Sequence, residues 1–404
     1  MTIPGSLEPD VDFGPYRVEA QLAIGGMATV WRAHHRAEPS RKVALKTMLP
    51  HLTEDQECVR MFLREAELGV RFDHPNIVSI HDVGVFDGLY FIEMEFLSGW
   101  NLRQLLREAG HRRRRLPLEV VFSAVADACD GLAHVHDYPA DDGSDEPAGW
   151  VHRDISPENL VLGTDGVTRL VDFGVATGDR VGATRAGHMK GKIHYMAPEV
   201  FRGETAEPGR DVYAIGVTLY ELATGARPFR GENDGELMYQ IANADPASPS
   251  RLRPELPRSL DELFSHATHR DAGKRCDAIT LGEGVRALLP DQAGQARSRA
   301  VRAAVTQLLS APARAREPTP AERESLVGRS RREAPLRTQI GVDVFTVSRP
   351  VQESADIFSH YGRTALRKAP RHETPPDDYA RRETLAPQGW ARVPAPARTA
   401  AGSR

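Results

Sequence analysis

Six short segments of the chain contain glycine-rich backbone or side-chain types that could bind anions or hard cations. In chain order they are Ala23–Val30, Val43–Lys46, Glu65, His152–Asn159, Asp172–Gly174 and Ala197–Glu199. Lysine supplies a compact ammonium, and Asp and Asn supply the oxygen ligands that Mg²⁺ prefers. Taken singly, each segment has an ordinary structural explanation, since a lysine paired with a helix glutamate is usually a surface ion pair worth less than about 1 kcal/mol. Their joint presence in this order is what predicts chemistry.

Local patterns place these segments on predicted strands, helices and turns. A helical apolar spacing predicts a helix over Glu54–Phe72, and the chain becomes helical again from about Asn101. Asp211–Ala223 is apolar on nearly all sides, which indicates a helix buried at the centre of a helical lobe. Alternation, with a turn signal at Asp87-Gly88, predicts strands at Tyr16–Leu22, Thr29–His34, Val43–Met48, Ile77–Phe86 and Leu89–Leu97.

Composition excludes several classes of protein. The 404 residues are 40% apolar and 27% charged, which is ordinary for a soluble globular protein and argues against wholesale disorder. No apolar run approaches the roughly 18 residues of a membrane span, and the N-terminus lacks the layout of a secretory signal. Cys58, Cys129 and Cys276 are widely separated and odd in number, so neither a disulfide framework nor a zinc site is expected. We expect a cytoplasmic protein without a membrane span.

The charge and the prolines are unevenly distributed along the chain. Residues 291–404 hold 20 basic against 12 acidic side chains, and 11 of the 29 prolines. Such a composition cannot bury enough apolar area to offset the chain entropy. We therefore expect an N-terminal extension over 1–15, a folded unit over 16–289 and a mostly disordered basic tail over 290–404. The tail is interpreted as a solvated extension, and no nucleic-acid partner is expected.

Together the six motifs resemble the eukaryotic-like serine/threonine protein kinases of bacteria, from about Tyr16 to Leu289. The resemblance implies an α+β, bilobal protein-kinase fold. A small antiparallel N-lobe sheet with one helix would cover about 16–97, and a larger, mainly helical C-lobe about 98–289. It also implies an enzyme that transfers the γ-phosphate of ATP to protein Ser and Thr hydroxyls. The implied cation is Mg²⁺, with Mn²⁺ as an alternative, and the implied partners are protein substrates.

The resemblance assigns a role to each central residue. Lys46 would hold the α- and β-phosphates, and Glu65 would fix the Lys46 ammonium by an ion pair. Asp154 would accept or orient the proton of the substrate hydroxyl, while Asn159 and Asp172 would bind the metal. The remaining nucleotide contacts would come from the glycine-rich loop, the adenine pocket and the hinge, namely Leu22, Ala23, Ile24, Gly25, Gly26, Met27, Ala28, Val30, Ala44, Met94, Glu95, Leu97 and Val161.

Structural and regulatory roles follow from the same resemblance. Asp211 would hold the backbone of the catalytic loop, and Arg275 would pair with Glu199. Arg153 directly precedes the catalytic aspartate, as in kinases whose activation loop is ordered by phosphorylation. A phosphothreonine adds nearly two negative charges that an arginine cluster can bind. The expected phosphorylation sites are Thr184 first and Thr177 second, with a transient homodimer for trans-autophosphorylation.

The glycine-rich loop departs from the family pattern at two positions. Ala23 and Ala28 stand where two further glycines are expected, whereas Gly25 is kept and Gly26 adds some freedom. Alanine does not adopt a positive φ cheaply, although its single methyl still permits close backbone approach. We expect the ATP affinity to be reduced but not abolished.

A second departure involves two positions at once. Ser156 occupies the place where these kinases usually carry a lysine that touches the γ-phosphate, and Lys192 occupies the place of a usual threonine. Only 6 of the 52 basic side chains are lysines, and Lys192 is one of them. We hypothesise that hydroxyl and ammonium have exchanged positions, so that Lys192 supplies the γ-phosphate cation and is held by Ser156 and Asp154. The alternative is an exposed charge of the activation segment.

Two other functions remain open at this point. A pseudokinase or nucleotide-binding scaffold with weak or no phosphotransfer is suggested by Ala23, Ala28 and Ser156. Retention of the lysine, the helix glutamate, both aspartates and the asparagine argues against it, because a scaffold has no chemical need for all five. A small-molecule phosphotransferase of related fold is the third candidate. The Ala197–Glu199 segment and the Asp211 helix favour a platform for protein substrates instead.

Overall fold

The computed structural model describes residues 7–139, 150–174, 191–204, 207–291 and 294–310, and the backbone of Trp390 and Ala391. Strands in these ranges are β1 Asp12–Phe13, β2 Tyr16–Ile24, β3 Ala28–His35, β4 Glu38–Met48, β5 Ile80–Phe86, β6 Leu89–Glu95, β7 Gly99–Asn101, β8 Leu160–Gly163, β9 Thr168–Leu170 and β10 Trp390–Ala391. Helices are α1 Gln56–Arg71, α2 Leu102–His111, α3 Leu118–His136, α4 Gly209–Thr224, α5 Asp234–Asn243, α6 Pro249–Leu252, α7 Arg258–Ala267, α8 Ala278–Arg286 and α9 Gln295–Ser310.

An antiparallel sheet forms the first lobe, with strand order β1-β2-β3-β4-β6-β5-β10. Helix α1 packs on one face, where Phe62 is buried with Met48 and Ile92. On the other face Tyr16 and Phe91 are buried in a second cluster. β1 pairs with β2 and contributes to that cluster, so part of the predicted N-terminal extension belongs to this lobe. The five predicted strands and the predicted helix are all present with small differences at their ends.

Helix α1 begins at a strong capping residue. The Asp55 carboxylate accepts hydrogen bonds from the backbone N–H groups of Glu57 and Cys58, both at 3.0 Å. These amides have no partner within the helix, and a carboxylate at the N-terminus also faces the positive end of the helix dipole. The cap fixes where α1 starts, and Glu65 follows three turns of helix later, on the side that faces the sheet.

The second lobe is helical around α4, as the apolar pattern predicted. Every residue of α4 from Asp211 to Thr224 is buried. Helix α3 lies against α4, and α8 lies against α3, in one continuous apolar cluster. The hairpin of β8 and β9 lies on α3 and leads into the Asp172–Gly174 motif. This lobe therefore supplies a rigid base for the loops on either side of that hairpin.

Helix α9 extends this lobe beyond the predicted boundary at residue 289. Four apolar side chains on one face of α9 are buried in the same cluster as α3 and α4, namely Val301, Ala304, Val305 and Leu308. The predicted boundary lies too early in the chain, because the alanine- and arginine-rich composition of this stretch gives little sign of its buried face. The rest of the predicted tail lies outside the described residues, apart from β10, which pairs antiparallel with β5. Among the described residues, no helix has the length and apolarity needed to cross a bilayer.

Candidate active site

Lys46 joins the two lobes through two carboxylates. Its ammonium Nζ donates to Glu65 Oε1 at 2.5 Å and to Asp172 Oδ1 at 2.8 Å. Strand β4 presents Lys46 on the same face as α1, and Asp172 follows β9 by two residues. The Glu65 contact was predicted, whereas the contact with Asp172 was not. The site therefore has the lysine–glutamate ion pair that phosphoryl transfer requires, and the aspartate expected to bind the metal lies beside it.

Burial and charge shape the ionisation of this triad. Burial opposes the Lys46 ammonium, but the carboxylates of Asp172 and Glu65 outweigh it and raise the lysine pKa above its usual value. Burial also raises the pKa of Glu65, to about 7, against the lowering effect of Lys46. For Asp172, burial is outweighed by Lys46, and its pKa lies below the ordinary range. Glu65 is thus the member of the triad that titrates near neutral pH.

The buried carboxylate of Asp211 binds the backbone of the predicted catalytic loop, His152–Asn159. Asp211 Oδ2 accepts from the backbone N–H of His152 at 2.7 Å, and Oδ1 from that of Arg153 at 2.8 Å. His136 Nε2 lies 3.0 Å from Oδ2. Arg153 has a φ of 69°, a costly conformation for a residue with a side chain. These are the backbone contacts predicted for Asp211, and they hold the strained residue in place.

Asp154 and Asn159 lie side by side at the end of that loop. Asn159 Nδ2 donates to the backbone oxygen of Asp154 at 2.7 Å and to its carboxylate Oδ2 at 2.8 Å. With its nitrogen engaged, Asn159 has Oδ1 as the atom that could bind a metal. Gly174 allows this packing, since a Cβ there would lie 2.6 Å from the Asp154 Cβ. Asn159 and Asp172 together offer the oxygen donors that suit Mg²⁺.

Phe173 fixes the orientation of the segment that carries Asp172. Its ring stacks on Phe72, at the end of α1, with centroids 5.1 Å apart. On the other side it meets the His152 ring at 4.6 Å. Asp172 itself has a φ of 56°, so a strained backbone turns the carboxylate towards Lys46 while the phenylalanine points into the core.

The residues predicted to surround adenine form one apolar pocket wall. Val30 pairs with Lys46 across β3 and β4, and Ala44 pairs with Met94 across β4 and β6, which places these side chains on one face of the sheet. Val161 from β8 belongs to the same cluster. Three further residues predicted to contact the nucleotide also belong to this apolar cluster, namely Met27, Ala28 and Leu97.

One hydrogen bond refines the predicted hinge contact. The Glu95 backbone N–H donates to the Ser79 oxygen at 2.9 Å, so a hinge contact at Glu95 would use its carbonyl.

The glycine-rich loop is closed by a backbone hydrogen bond. The Gly25 N–H donates to the Ala28 oxygen at 2.8 Å, and Ile24 is 42% exposed at the tip. Leu22 is buried, and Gly26 lies in the turn beside Gly25. Neither Ala23 nor Ala28 has a positive φ, so both alanines fit this loop without backbone strain.

Lys192 makes one of the two contacts predicted for it, with Asp154 but not with Ser156. The Lys192 ammonium donates to Asp154 Oδ2. Burial raises the pKa of Asp172, Lys46 lowers it more strongly, and the charge of Lys192 adds to the lowering. Among the residues that the structure describes, the buried Ser156 hydroxyl has no hydrogen-bond partner. The expected contact between Ser156 and Lys192 is therefore wrong, and the described anchor of the lysine is Asp154.

A buried polar network around Arg103 was missed from the sequence. Arg103 of α2 donates to Glu158 at 2.8 Å, to Glu221 of α4 at 2.7 Å and to the Tyr195 hydroxyl. Tyr195 in turn donates to Glu221 at 2.5 Å. The network ties the catalytic loop to the end of the activation segment. An arginine in an amphipathic helix gives no local signal for such contacts, because its partners lie up to 118 positions away.

The predicted pair of Arg275 and Glu199 is present and almost completely buried. The guanidinium Nη1 and Nη2 of Arg275 donate to the two Glu199 carboxylate oxygens at 2.6 and 2.7 Å. Arg275 also donates to the backbone oxygens of Gly209 and His269, which fastens the segment to the start of α4. The predicted phosphorylation sites Thr177 and Thr184 lie outside the described residues.

Comparisons with known proteins agree with this geometry. The family model of the protein kinase domain matches residues 16–283. The chain is 41% identical over 258 residues to the tyrosine-protein kinase MasK of Myxococcus xanthus (strain DK1622), which covers 63% of this chain and 40% of MasK. It is 33% identical over 259 residues to the serine/threonine-protein kinase PrkC of Bacillus subtilis (strain 168), covering 64% of this chain and 38% of PrkC. The chain thus spans about two fifths of the length of these curated relatives.

A solved structure shows the same two-lobed architecture. The kinase domain of Mycobacterium tuberculosis PknI is 27% identical, with a TM-score of 0.53, over 70% of this chain and 99% of the PknI chain. The predicted α+β bilobal fold, with an antiparallel N-lobe sheet and a helical C-lobe, is confirmed. The family match covers most of the described residues and includes every motif that carries the site. The chain belongs to the protein kinase family.

Proposed function

We propose that this chain is an ATP-dependent protein kinase that phosphorylates serine and threonine hydroxyls of protein substrates. One observation supports it above all others, namely that Lys46 bridges Glu65 and Asp172 while Asp154 and Asn159 lie at the same opening. A scaffold has no need for this set, since each buried charge costs desolvation energy that only its partners offset. The assembled set favours catalysis over the pseudokinase alternative.

The residues present fit a nucleotide and a divalent cation. The apolar wall of Val30, Ala44, Met94 and Val161 suits an adenine ring, and Lys46 beside it suits phosphate oxygens. Asn159 and Asp172 would hold Mg²⁺, or Mn²⁺ as the alternative. The bound cation would neutralise charge on the phosphate groups. The protein's own contribution is to hold these donors in place before the reaction, which avoids reorganisation during it.

Asp154 is the residue that receives the substrate hydroxyl in this proposal. The hydroxyl oxygen forms a bond to the γ-phosphorus while the bond to the ADP oxygen breaks, and the hydroxyl proton passes to the Asp154 carboxylate. Lys192, on the same carboxylate, would contact the γ-phosphate oxygens. Little covalent chemistry is left to the protein, so its work is positioning and charge neutralisation.

Phosphate incorporation tests the proposed activity. Wild-type protein with [γ-³²P]ATP, Mg²⁺ and a generic protein acceptor is expected to label serine and threonine, and Asp154→Asn is expected to abolish labelling. Phosphoamino-acid analysis of the labelled acceptor is essential, because MasK is named a tyrosine kinase. Label on tyrosine alone would contradict the proposed specificity. Nucleotide binding without labelling, in a folded wild-type protein, would favour the scaffold.

We further propose regulation by autophosphorylation of the activation segment at Thr184 first and Thr177 second. The support is chemical, because Arg180, Arg185 and Lys190 surround these threonines in the sequence. Peptide mass spectrometry after incubation with MgATP is expected to find phosphate on at least one of them. An active preparation without phosphate on either threonine would contradict this. A rate that rises with protein concentration would support transfer within a transient homodimer.

A further inference from the structure

Helix α9 lies past the end of the matched family segment and yet is packed into the C-lobe. The matched segment ends at residue 283, whereas α9 covers Gln295–Ser310. Four apolar side chains of α9 are spaced so that they lie on one face of the helix. All four belong to the core cluster that contains α3, namely Val301, Ala304, Val305 and Leu308. The helix is therefore a docked element of the catalytic unit.

A buried ion pair joins α9 to α3 and to β9. Arg297 NH2 lies 3.1 Å from Asp127 Oδ1, and the side chain of Asp127 is only 6% exposed. The other oxygen of Asp127 accepts from the backbone N–H of Thr168, the first residue of β9, at 2.9 Å. One carboxylate thus links the helix to the strand. Since buried pairs add little net stability, the value of this pair lies in the geometry that it imposes.

The backbone of α9 also contacts the turn between β8 and β9 directly. Gly166 in that turn has a φ of +83°, and a Cβ there would lie 2.5 Å from the Ser298 backbone oxygen. Arg302 NH1 donates to the Asp165 backbone oxygen at 3.1 Å. The turn therefore admits only glycine at this point, for its conformation and for the close approach of α9.

The β8–β9 hairpin, which α9 contacts, is connected to the active site at two places. Thr164, in the turn, donates from its backbone N–H to the oxygen of Ser98, which follows the predicted hinge, at 2.7 Å. At the other end, the Val171 N–H donates to the Asn159 oxygen at 3.0 Å, one residue before Asp172. A displacement of the hairpin would thus reach the hinge and both candidate metal ligands through covalent and hydrogen bonds.

We propose that α9 is a positioning element of the active site and that Arg297 is its positioning residue. Through Asp127 and Thr168, Arg297 sets the hairpin that places Asn159 and Asp172. The α9 residues named above contact α3 and the β8–β9 turn and are not among the residues assigned to the nucleotide or the metal. The expected effect is therefore on the Mg²⁺ concentration that nucleotide binding requires, and not on the contacts with protein substrate. The proposal rests on the proposed function only for the use of Mg²⁺ and nucleotide.

The test compares full-length Arg297→Gln with Arg299→Gln, which removes the same charge from the exposed side of the same helix. In Arg297→Gln, amides of β8–β9 are expected to exchange with deuterium about tenfold faster than in wild type. The Mg²⁺ concentration for half-maximal binding of a fluorescent ATP analogue is expected to rise about 3- to 10-fold. Arg297→Lys should restore both quantities, and Arg299→Gln should change neither.

Two results would overturn the proposal. One is unchanged exchange of the hairpin in Arg297→Gln. The other is faster exchange with an unchanged Mg²⁺ dependence, which would make α9 a structural support only. Both measurements are made without phosphotransfer, so a wild-type protein that labels no substrate would refute the proposed function and leave this test intact.

Discussion

Lys192 donates a hydrogen bond to Asp154 Oδ2, across 38 positions of the chain. The lysine side chain is 46% exposed and that of Asp154 only 12%, so a half-exposed ammonium contacts a largely buried carboxylate. The usual position for this charge in the family is 156, where, within the part of the chain that the structure describes, a buried serine hydroxyl has no hydrogen-bond partner. The cation that we propose for the γ-phosphate thus lies near the end of the activation segment and not on the catalytic loop.

Removal of this ammonium tests its role in catalysis. We expect Lys192→Ala to lower kcat by about 10²- to 10³-fold, with little change in the KM for ATP, because the charge would act on the developing transition state. Steady-state kinetics would measure both constants. Lys42→Ala, which removes an exposed lysine of β4, is the matched control and should leave kcat unchanged. An unaltered kcat in Lys192→Ala would refute the assigned role.

An exchange of the two side chains gives a stricter test. In a Lys192→Thr background, Ser156→Lys returns the ammonium to the catalytic loop and should recover part of the lost kcat. Recovery is expected because charge neutralisation depends on the place of the cation and not on the segment that carries it. Failure to recover, in a protein that still binds ATP, would show that residue 156 cannot reach the γ-phosphate in this loop.

Activity is expected to fall as the pH drops through about 7. Burial raises the pKa of Glu65 to about 7, so the carboxyl takes up a proton there and its ion pair with Lys46 is lost. Lys46 stays charged throughout, since its own pKa is raised. The kcat/KM for ATP from pH 5.5 to 8.5 would show the inflection. In Glu65→Gln, activity should be low at every pH without this inflection, and its persistence would exclude Glu65 as the source.

The same group has the opposite effect on stability. The pKa of Glu65 is higher in the folded protein than the ordinary value of 4.5 expected for the unfolded chain. The folded state therefore binds the proton first, and the contribution of Glu65 to the free energy of unfolding rises as the pH falls from about 7 towards 4.5. Urea unfolding of wild type and Glu65→Gln should differ in this direction. A stability difference that does not vary over this range would contradict the raised pKa.

The buried Arg275–Glu199 pair is expected to matter for stability far more than an exposed pair nearby. Arg275→Ala leaves the Glu199 carboxylate buried without its cation, so we expect a loss of about 3–5 kcal/mol in the free energy of unfolding. Arg202→Ala removes an ion pair with Glu204 whose side chains are both about half exposed, and should lower the free energy of unfolding far less. Chemical denaturation would measure both. Equal losses would show that burial does not govern the strength of these pairs.

Gly174 is expected to tolerate no side chain. A methyl group in Gly174→Ala would lie 2.6 Å from the Asp154 Cβ and 3.1 Å from its backbone nitrogen. We expect kcat to fall by about 10²-fold through displacement of Asp154, with the thermal transition largely retained. Gly110→Ala is the matched control, because nothing lies within 4 Å of its added methyl in α2, and activity should be unchanged. Full activity in Gly174→Ala would contradict the close packing.

Local sequence patterns predicted most of the helices and strands, and the resemblance to a known family supplied the central residues of the site. The Asp87-Gly88 turn is an example of a local pattern, because both residues have the positive φ that its hairpin requires, and no distant contact is needed to predict it. Asp211 is different, since its contacts with His152 and Arg153 span 59 and 58 positions and its role was implied by the resemblance. Local features depend on a few neighbouring residues, which is why the sequence alone was enough for them.

The tertiary structure decided the features that depend on distant partners. The pairing of Lys46 with Asp172 spans 126 positions, and that of Asp127 with Arg297 spans 170. Helix α9 has a short apolar face made partly of alanine, so its pattern alone did not distinguish a docked helix from a disordered tail. The anchoring of Lys192 by Asp154 and not by Ser156 was decided in the same way. Burial and desolvation set the strength of these contacts, and both depend on the packing of the whole chain rather than on local spacing.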